Sequence, residues 1–368
     1  MMSYEKQILG WYRHFHEHPE ISGKEVETTN TIAKILDGLG VRYKRFADCT
    51  GLIAELGEGC GTVALRADMD ALWQEVDGVM RANHSCGHDA HMAMALGAIL
   101  YLKDQPLTRT YRFIFQPAEE KDNGSLWMIE RGAMDGVSVL FGMHVRPEEE
   151  LAYGKFTPSI HHGACIFLEG KIIGTDAHGA RPHQGKNAID VLVAIHGYLA
   201  TLYVNPAENY SVKLTKMMSG GENNNIIPGN GLFAIDVRAQ QNAILDEMVD
   251  SITTGLERIA ELYGVQIEYE WKDYTPGATV SKEPERSARE SIIKVAGAEA
   301  LEEPIVTSGS DDFHFYSREH PEVQTTMIGI GAKASPGLHH PNMQIQTDIL
   351  DLGARVLAEA MQLVHINE

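Results

Sequence analysis

The chain predicts an α/β protein in two parts: a doubly wound layer interrupted by an α+β block of ferredoxin-like order. Three observations carry that reading. Buried-strand runs alternate with helical segments in the outer portions, a self-contained strand-helix-strand-strand-helix-strand series lies between them, and chemistry-bearing residues occur on both sides of that series. At 368 residues the chain exceeds one small core, so its length favours two domains, or one domain with a large insertion.

Taken in order, a helix of mixed polarity spans Val26 to Leu39 and ends at Gly40. The apolar runs Thr62 to Asp68, Tyr111 to Gln116 and Ser138 to Val145 read as buried strands, and a long helix starting near Asp89 separates the first two. In such layers ligands sit beyond the carboxyl ends of the strands. Asp68 and Asp70 close the first run, Glu119 and Glu120 follow the second, and His144 ends the third. From Ala164 to Asp273 the inserted series runs IFLEGKIIG, a helix through AIDVLVAIHGYLATLYV, SVKLTKMMSG, LFAIDVRA, a helix through ILDEMVDSITTGLERIAELYG, and VQIEYEW. The first layer resumes with a helix at Ser287 to Ala296, the strand TTMIGIGA and a final helix from Asp348 to Val364. The expected domains are therefore 1–163, 164–273 and 274–368, the first and last forming one body.

Acidic side chains number 51 against 31 basic ones, giving a formal charge of −20. That balance argues against nucleic acid and anionic membranes as partners and serves solubility. No window reads as a signal peptide or a membrane span, so the expected location is cytoplasmic. Cys49, Cys60, Cys86 and Cys165 make no disulfide framework in so long a chain and are expected to remain thiols.

The window CGHDAH, Cys86 to His91, offers a thiolate and two imidazoles within six residues. These ligands suit zinc and its transition-metal neighbours better than calcium or magnesium. Taken by itself, a Cys-x-His pair reads first as a buried thiol beside a core histidine. The rest of the chain adds paired glutamates in QPAEE (Glu119, Glu120), His144 in GMHV, and His339 and His340 in LHHP. Carboxylates and imidazoles scattered in this way are what a two-metal site assembled by folding requires.

Together with HxHPE (His16 to Glu20), RADMDAL (Arg66 to Leu72), the signature GTDAHGARPHQGKNAID and NIIP, these motifs closely resemble the aminoacylase and hippurate hydrolase family of co-catalytic metallopeptidases. The branch they resemble includes indole-acetyl-amino-acid hydrolases and N-acetyl-diaminopimelate deacetylases, and the match covers nearly the whole chain. The resemblance implies a catalytic domain interrupted by a lid that also dimerises. It implies two divalent transition-metal ions per subunit (zinc, manganese, cobalt or nickel) held by Cys86, His88, Glu120, His144 and His339. Glu119 is then the general base and Asp70 the aspartate that orients a metal ligand, with Asp89 in a similar task. For Asp68 and His91, a cap or backbone contact at the helix start stands beside a part in the chemistry. His340 is either a participant or a residue packed beside His339.

In the inserted block, His178 matches a histidine that stabilises the oxyanion, often in the partner subunit's site, a role worth roughly 3 kcal/mol. Asn225 and Arg238 resemble residues that hold the substrate carboxylate. Two positions depart from the pattern. Trp73 replaces a proline at the head of a shortened segment that runs to His84, and Asp311 in GSDDF replaces a glutamate, which puts acyl-group specificity in question. The implied activity is metal-dependent hydrolysis of the amide bond of an N-acyl amino acid or related small conjugate. Dipeptidase or carboxypeptidase action is the alternative within this chemistry. Outside it stand a non-catalytic binding protein retaining the fold and a cysteine hydrolase with Cys86 as nucleophile.

Overall fold

Apolar runs too continuous to leave one face in water form the centre of a mixed seven-stranded sheet in the computed structural model, which describes residues 3–366. The strands Thr110–Gln116, Thr62–Asp68, Val137–Pro147 and Gln324–Ala334 lie side by side in that order, all parallel. Every residue of Thr62–Asp68 is buried, and its register places Asp68 opposite Gln116. The edges require a correction to the doubly wound reading. Leu52–Leu56 and Arg42–Arg45 extend one side antiparallel, and Phe156–Thr157 closes the other, also antiparallel. Leu52–Leu56 is mostly buried but only five residues long, Arg42–Arg45 is largely exposed and Phe156–Thr157 has two residues, so none presents a run as long as those of the central strands.

The helix His88–Lys103 is buried at every residue except Tyr101 and Lys103. It packs against Tyr4–Glu17 and Ile349–Leu363. Close packing is visible at Gly97, where a β-carbon would come within 2.7 Å of Ile8 and Ala354. Tyr4–Glu17 buries only Ile8, Tyr12 and Phe15, a stripe obscured in the sequence by the histidines around it. The segment after Asp70 folds as a hairpin, Leu72–Val76 with Val79–Asn83.

The chain folds as two compact units. The first comprises the residues up to His161, Thr279–Val306, and those from Asp312 onward; the second comprises His162–Ala278 and Thr307–Asp311. The second unit has an antiparallel sheet in the order Tyr210–Ser219, Asn230–Ala239, Ala164–Ile173, Gln266–Thr275. Asn230–Ala239 alternates buried and open positions. Its inward residues Phe233, Ile235 and Val237 share a core with Val191 and Ile195 of the helix Ala188–Leu199 and with Met248 and Ile252 of Asn242–Tyr263. Among the described residues no helix is long and apolar enough to cross a membrane.

Candidate metal centre

The carboxyl ends of the parallel strands gather the residues that the sequence scatters. Cys86 and His88 flank Gly87, whose φ is +89° and whose missing β-carbon would fall 2.4 Å from Val145. That turn starts the buried helix at His88. Cys86 Sγ lies 3.6 Å from His144 Nε2 and 3.3 Å from His339 Nε2. Glu120 Oε1 lies 3.4 Å from His339 Nε2 and 3.9 Å from His88 Nε2. Two trios of donors include Cys86: Cys86 with His88 and His144, and Cys86 with Glu120 and His339, each within 4.8 Å. The thiol belongs to both.

Hydrogen bonds decide which ring nitrogens face the centre. His88 Nδ1 is 2.9 Å from the Asp70 carbonyl oxygen and 3.2 Å from its Oδ1, so Nδ1 donates and Nε2 is turned inward. His144 Nδ1 donates to the Val145 carbonyl at 2.6 Å, with the same result. His88 Nε2 and Glu120 Oε1 are buried without a hydrogen-bond partner. Two soft or borderline donor sets with buried, unsatisfied atoms between them fit divalent transition-metal ions. Asp68, His88 and His91 form a further compact trio, but both nitrogens of His91 are used. Nδ1 donates to Asp68 Oδ1 at 2.6 Å and Nε2 accepts from the Val145 amide at 3.0 Å. Asp68 also takes the Arg66 guanidinium, which is fully buried and reaches Asp312 at 2.6 Å. Neither Asp68 nor His91 caps the helix, whose N-cap is Gly87. His91 does make a backbone contact, but to a strand.

The electrostatics favour positive charge. Burial alone would raise the Asp68 carboxyl, yet His88, Arg66 and His91 hold it well below the usual carboxylate range. Burial likewise opposes ionisation of Asp70, and the hydrogen bond from His88 overrides it. Burial disfavours the charged His88 ring, but Asp68 and Cys86 drive its pKa well above the ordinary histidine value. Nε2 of that ring is the position a metal would claim. Burial, then Glu120, pushes the Cys86 thiol up. A divalent ion held there would reverse that sign, because a coordinating thiol is deprotonated.

Glu119 Oε2 stands 3.9 Å from His88 Nε2, and its side chain is 12% exposed, open enough to meet water. Asp89 accepts from or pairs with His16 Nδ1 at 2.7 Å rather than touching a ligand candidate. His340 is exposed, and its Nδ1 accepts the Asn342 amide at 3.1 Å within its own turn. Trp73 is 54% exposed. Its strand neighbour Gln74 faces the other way and donates to the His339 carbonyl at 3.1 Å, where His339 holds a φ of +64°. Asp311 is buried, within the second unit.

In the second unit, Ala177–His178 pairs with Ile226–Ile227, and the Gly179 amide donates to the Asn225 carbonyl at 2.7 Å, so His178 and Asn225 are neighbours. His178 is exposed, and its Nδ1 accepts from Ala180 at 3.1 Å, which leaves the proton of the neutral ring on Nε2. Arg238 donates to Asp236 at 3.0 Å and lies over the Phe167 ring. Sequence reasoning missed Arg66 and Asp312, the buried carboxylate Glu25, and His84. Burial pushes His84 down to about 4, so its ring is neutral. The CGHDAH window begins two residues after His84, and only its nearness to Cys86 could have drawn attention to it.

Residues 64–363 match the family described as peptidase family M20/M25/M40. Among similar proteins, an IAA-amino acid hydrolase of Arabidopsis thaliana is 30% identical over 95% of this chain and 84% of its own length. An N-acetyl-L-cysteine deacetylase of Bacillus subtilis is 29% identical over 99% of this chain and 90% of its own. The crystal structure of a dinuclear metal-binding M20-family peptidase from Bacillus subtilis superimposes with a TM-score of 0.83 at 26% identity, covering 99% of both chains.

Proposed function

The chain belongs to peptidase family M20/M25/M40, and from that premise we propose that it hydrolyses the amide bond of an N-acyl amino acid or a related small conjugate. The single observation that carries this reading is the pair of donor trios sharing Cys86, with Glu119 beside them. Relatives named as a deacetylase and as an amino-acid-conjugate hydrolase point to the same substrate class.

Cys86, His88 and His144 would hold one ion, and Cys86, Glu120 and His339 the other, with zinc, manganese, cobalt and nickel all compatible with these donors. Two such ions supply Lewis acidity, lowering the pKa of water and polarising the scissile carbonyl. Glu119 takes the proton from the attacking water and returns it to the leaving nitrogen, which departs as the free amine. Asp70 keeps His88 Nδ1 protonated so that Nε2 stays directed at the centre. The Nε2–H of His178 donates to the oxygen that gains charge, while Asn225 and Arg238 hold the substrate carboxylate.

The second unit serves as a ferredoxin-like lid and dimerisation domain, with His178 of one subunit acting in the site of its partner. Supporting this, Tyr210–Ser219 is an edge strand, and Val193, Met217 and Met218 are exposed on it and on the neighbouring helix. The protein works in the cytoplasm on a small soluble substrate.

A screen of the metal-loaded protein against N-acyl amino acids, reading release of free amine, tests the substrate class. Turnover of acetyl or larger acyl conjugates is expected. Cleavage of dipeptides alone would replace this reading with the peptidase one.

A further inference from the structure

Glu25 is fully buried, and its partners are two amides and a hydroxyl instead of a cation. Oε1 accepts from the Gly23 and Ala118 amides, both at 2.9 Å, and Oε2 accepts from Thr50 Oγ1 at 2.7 Å. A buried carboxylate without a counter-charge is costly, so its local purpose matters. Glu25 occupies the N-cap of the helix Val26–Leu39, yet its side chain makes no capping bond there. It reaches across to Ala118, 93 residues away in sequence.

Ala118 precedes the two glutamates and is held at φ +53°, a left-handed conformation unusual for a residue with a β-carbon. On the other side of Glu119, the Glu120 amide donates to Asp70 Oδ2 at 3.0 Å. Ser22, in the same short segment as Glu25, donates to that same oxygen at 2.6 Å. The backbone is thus pinned by a carboxylate immediately before and immediately after Glu119.

We propose that Glu25 is a positioning residue for the Glu119–Glu120 turn: its carboxylate fixes the Ala118 amide and thereby the directions in which the base and the neighbouring metal ligand leave the backbone. The proposal rests on the amidohydrolase reading above. Adjacent residues with divergent tasks need a turn that cannot relax, because a small misplacement of a catalytic group is enough to slow the reaction. Reach matters here, and charge does not. Glutamine keeps an oxygen for the two amides and offers its NH2 to the Thr50 hydroxyl, whereas aspartate keeps the charge but is one methylene too short.

The test compares E25Q, E25D and E25A in the full-length, metal-loaded protein. Kinetics are measured beside metal content and hydrogen exchange of the amides in residues 117–124. E25D and E25A are expected to lower kcat at least about tenfold with KM within about twofold, while E25Q stays within about threefold of wild type. Metal content stays unchanged, because the Glu120 amide keeps its separate bond to Asp70, and the turn amides lose protection in E25D and keep it in E25Q. Should E25A fail to fold, E25D against E25Q still decides the matter. Wild-type kcat in E25D, or undiminished protection of its turn amides, would overturn the proposal. If the wild-type protein hydrolyses no amide at all, the functional reading fails separately, and the exchange data still decide whether Glu25 clamps the turn.

Discussion

Asp70 grips His88 twice, through its carbonyl oxygen at 2.9 Å and its Oδ1 at 3.2 Å from Nδ1. The carboxylate's other oxygen meanwhile accepts the Glu120 amide. One residue therefore orients a donor from each trio. Asp70→Ala should weaken metal binding by about 10–100-fold, as measured by competition with a chromophoric chelator. Wild-type affinity in that variant would remove Asp70 from the role.

Glu119 and Glu120 are adjacent in sequence, and the proposed function gives them different tasks. Glu119→Gln alters the base and spares the ligand, so both ions should remain while turnover falls at least about a hundredfold. Elemental analysis with steady-state kinetics checks both halves, and near-normal turnover in the fully metallated variant would contradict the assignment.

The buried Arg66 guanidinium compensates Asp68 and Asp312. Arg66→Ala removes the cation shared by two buried carboxylates and should cost about 3–5 kcal/mol of stability, read from chemical denaturation. A loss below about 1 kcal/mol, the range of a surface ion pair, would show that the network relaxes without it.

Burial raises the Glu25 pKa. A carboxyl whose folded pKa lies above its unfolded value contributes stability that is fully present below the unfolded pKa and is lost as pH rises through the folded one. E25Q carries no such loss, so its melting temperature relative to wild type should rise from acidic to neutral pH. A difference that stays constant across that range would contradict the raised pKa.

If the second unit joins two chains and His178 acts across them, mixing Glu119→Gln subunits with His178→Ala subunits should restore activity, because hybrid dimers place both intact residues at one site. Full activity in a strictly monomeric protein would exclude the arrangement.

The four central strands and the buried helix were legible because each carries a long, mostly apolar run, and the ligand candidates because Cys, His and paired Glu stood at their ends. Three kinds of feature were not legible. The edge strands carry no continuous apolar run, and the Leu72–Asn83 hairpin is mostly open to solvent. Arg66, Asp312 and Glu25 are charged residues whose burial is decided by partners far along the chain, 246 residues apart for Arg66 and Asp312 and 93 for Glu25 and Ala118. Which nitrogens of His88 and His144 face the centre also depends on backbone carbonyls, which carry no residue identity to read.

The central claim, that Cys86 serves as a metal ligand in an amide hydrolase, is tested most directly by removing and restoring the metal. A thiolate that gives its electron density to a cation is a poor nucleophile, so a chelator should abolish hydrolysis of the best N-acyl amino acid, and added zinc, manganese or cobalt should restore it. A cysteine nucleophile would instead withstand chelation and show a burst of first product. Full activity in a preparation that elemental analysis finds free of transition metal would contradict the account.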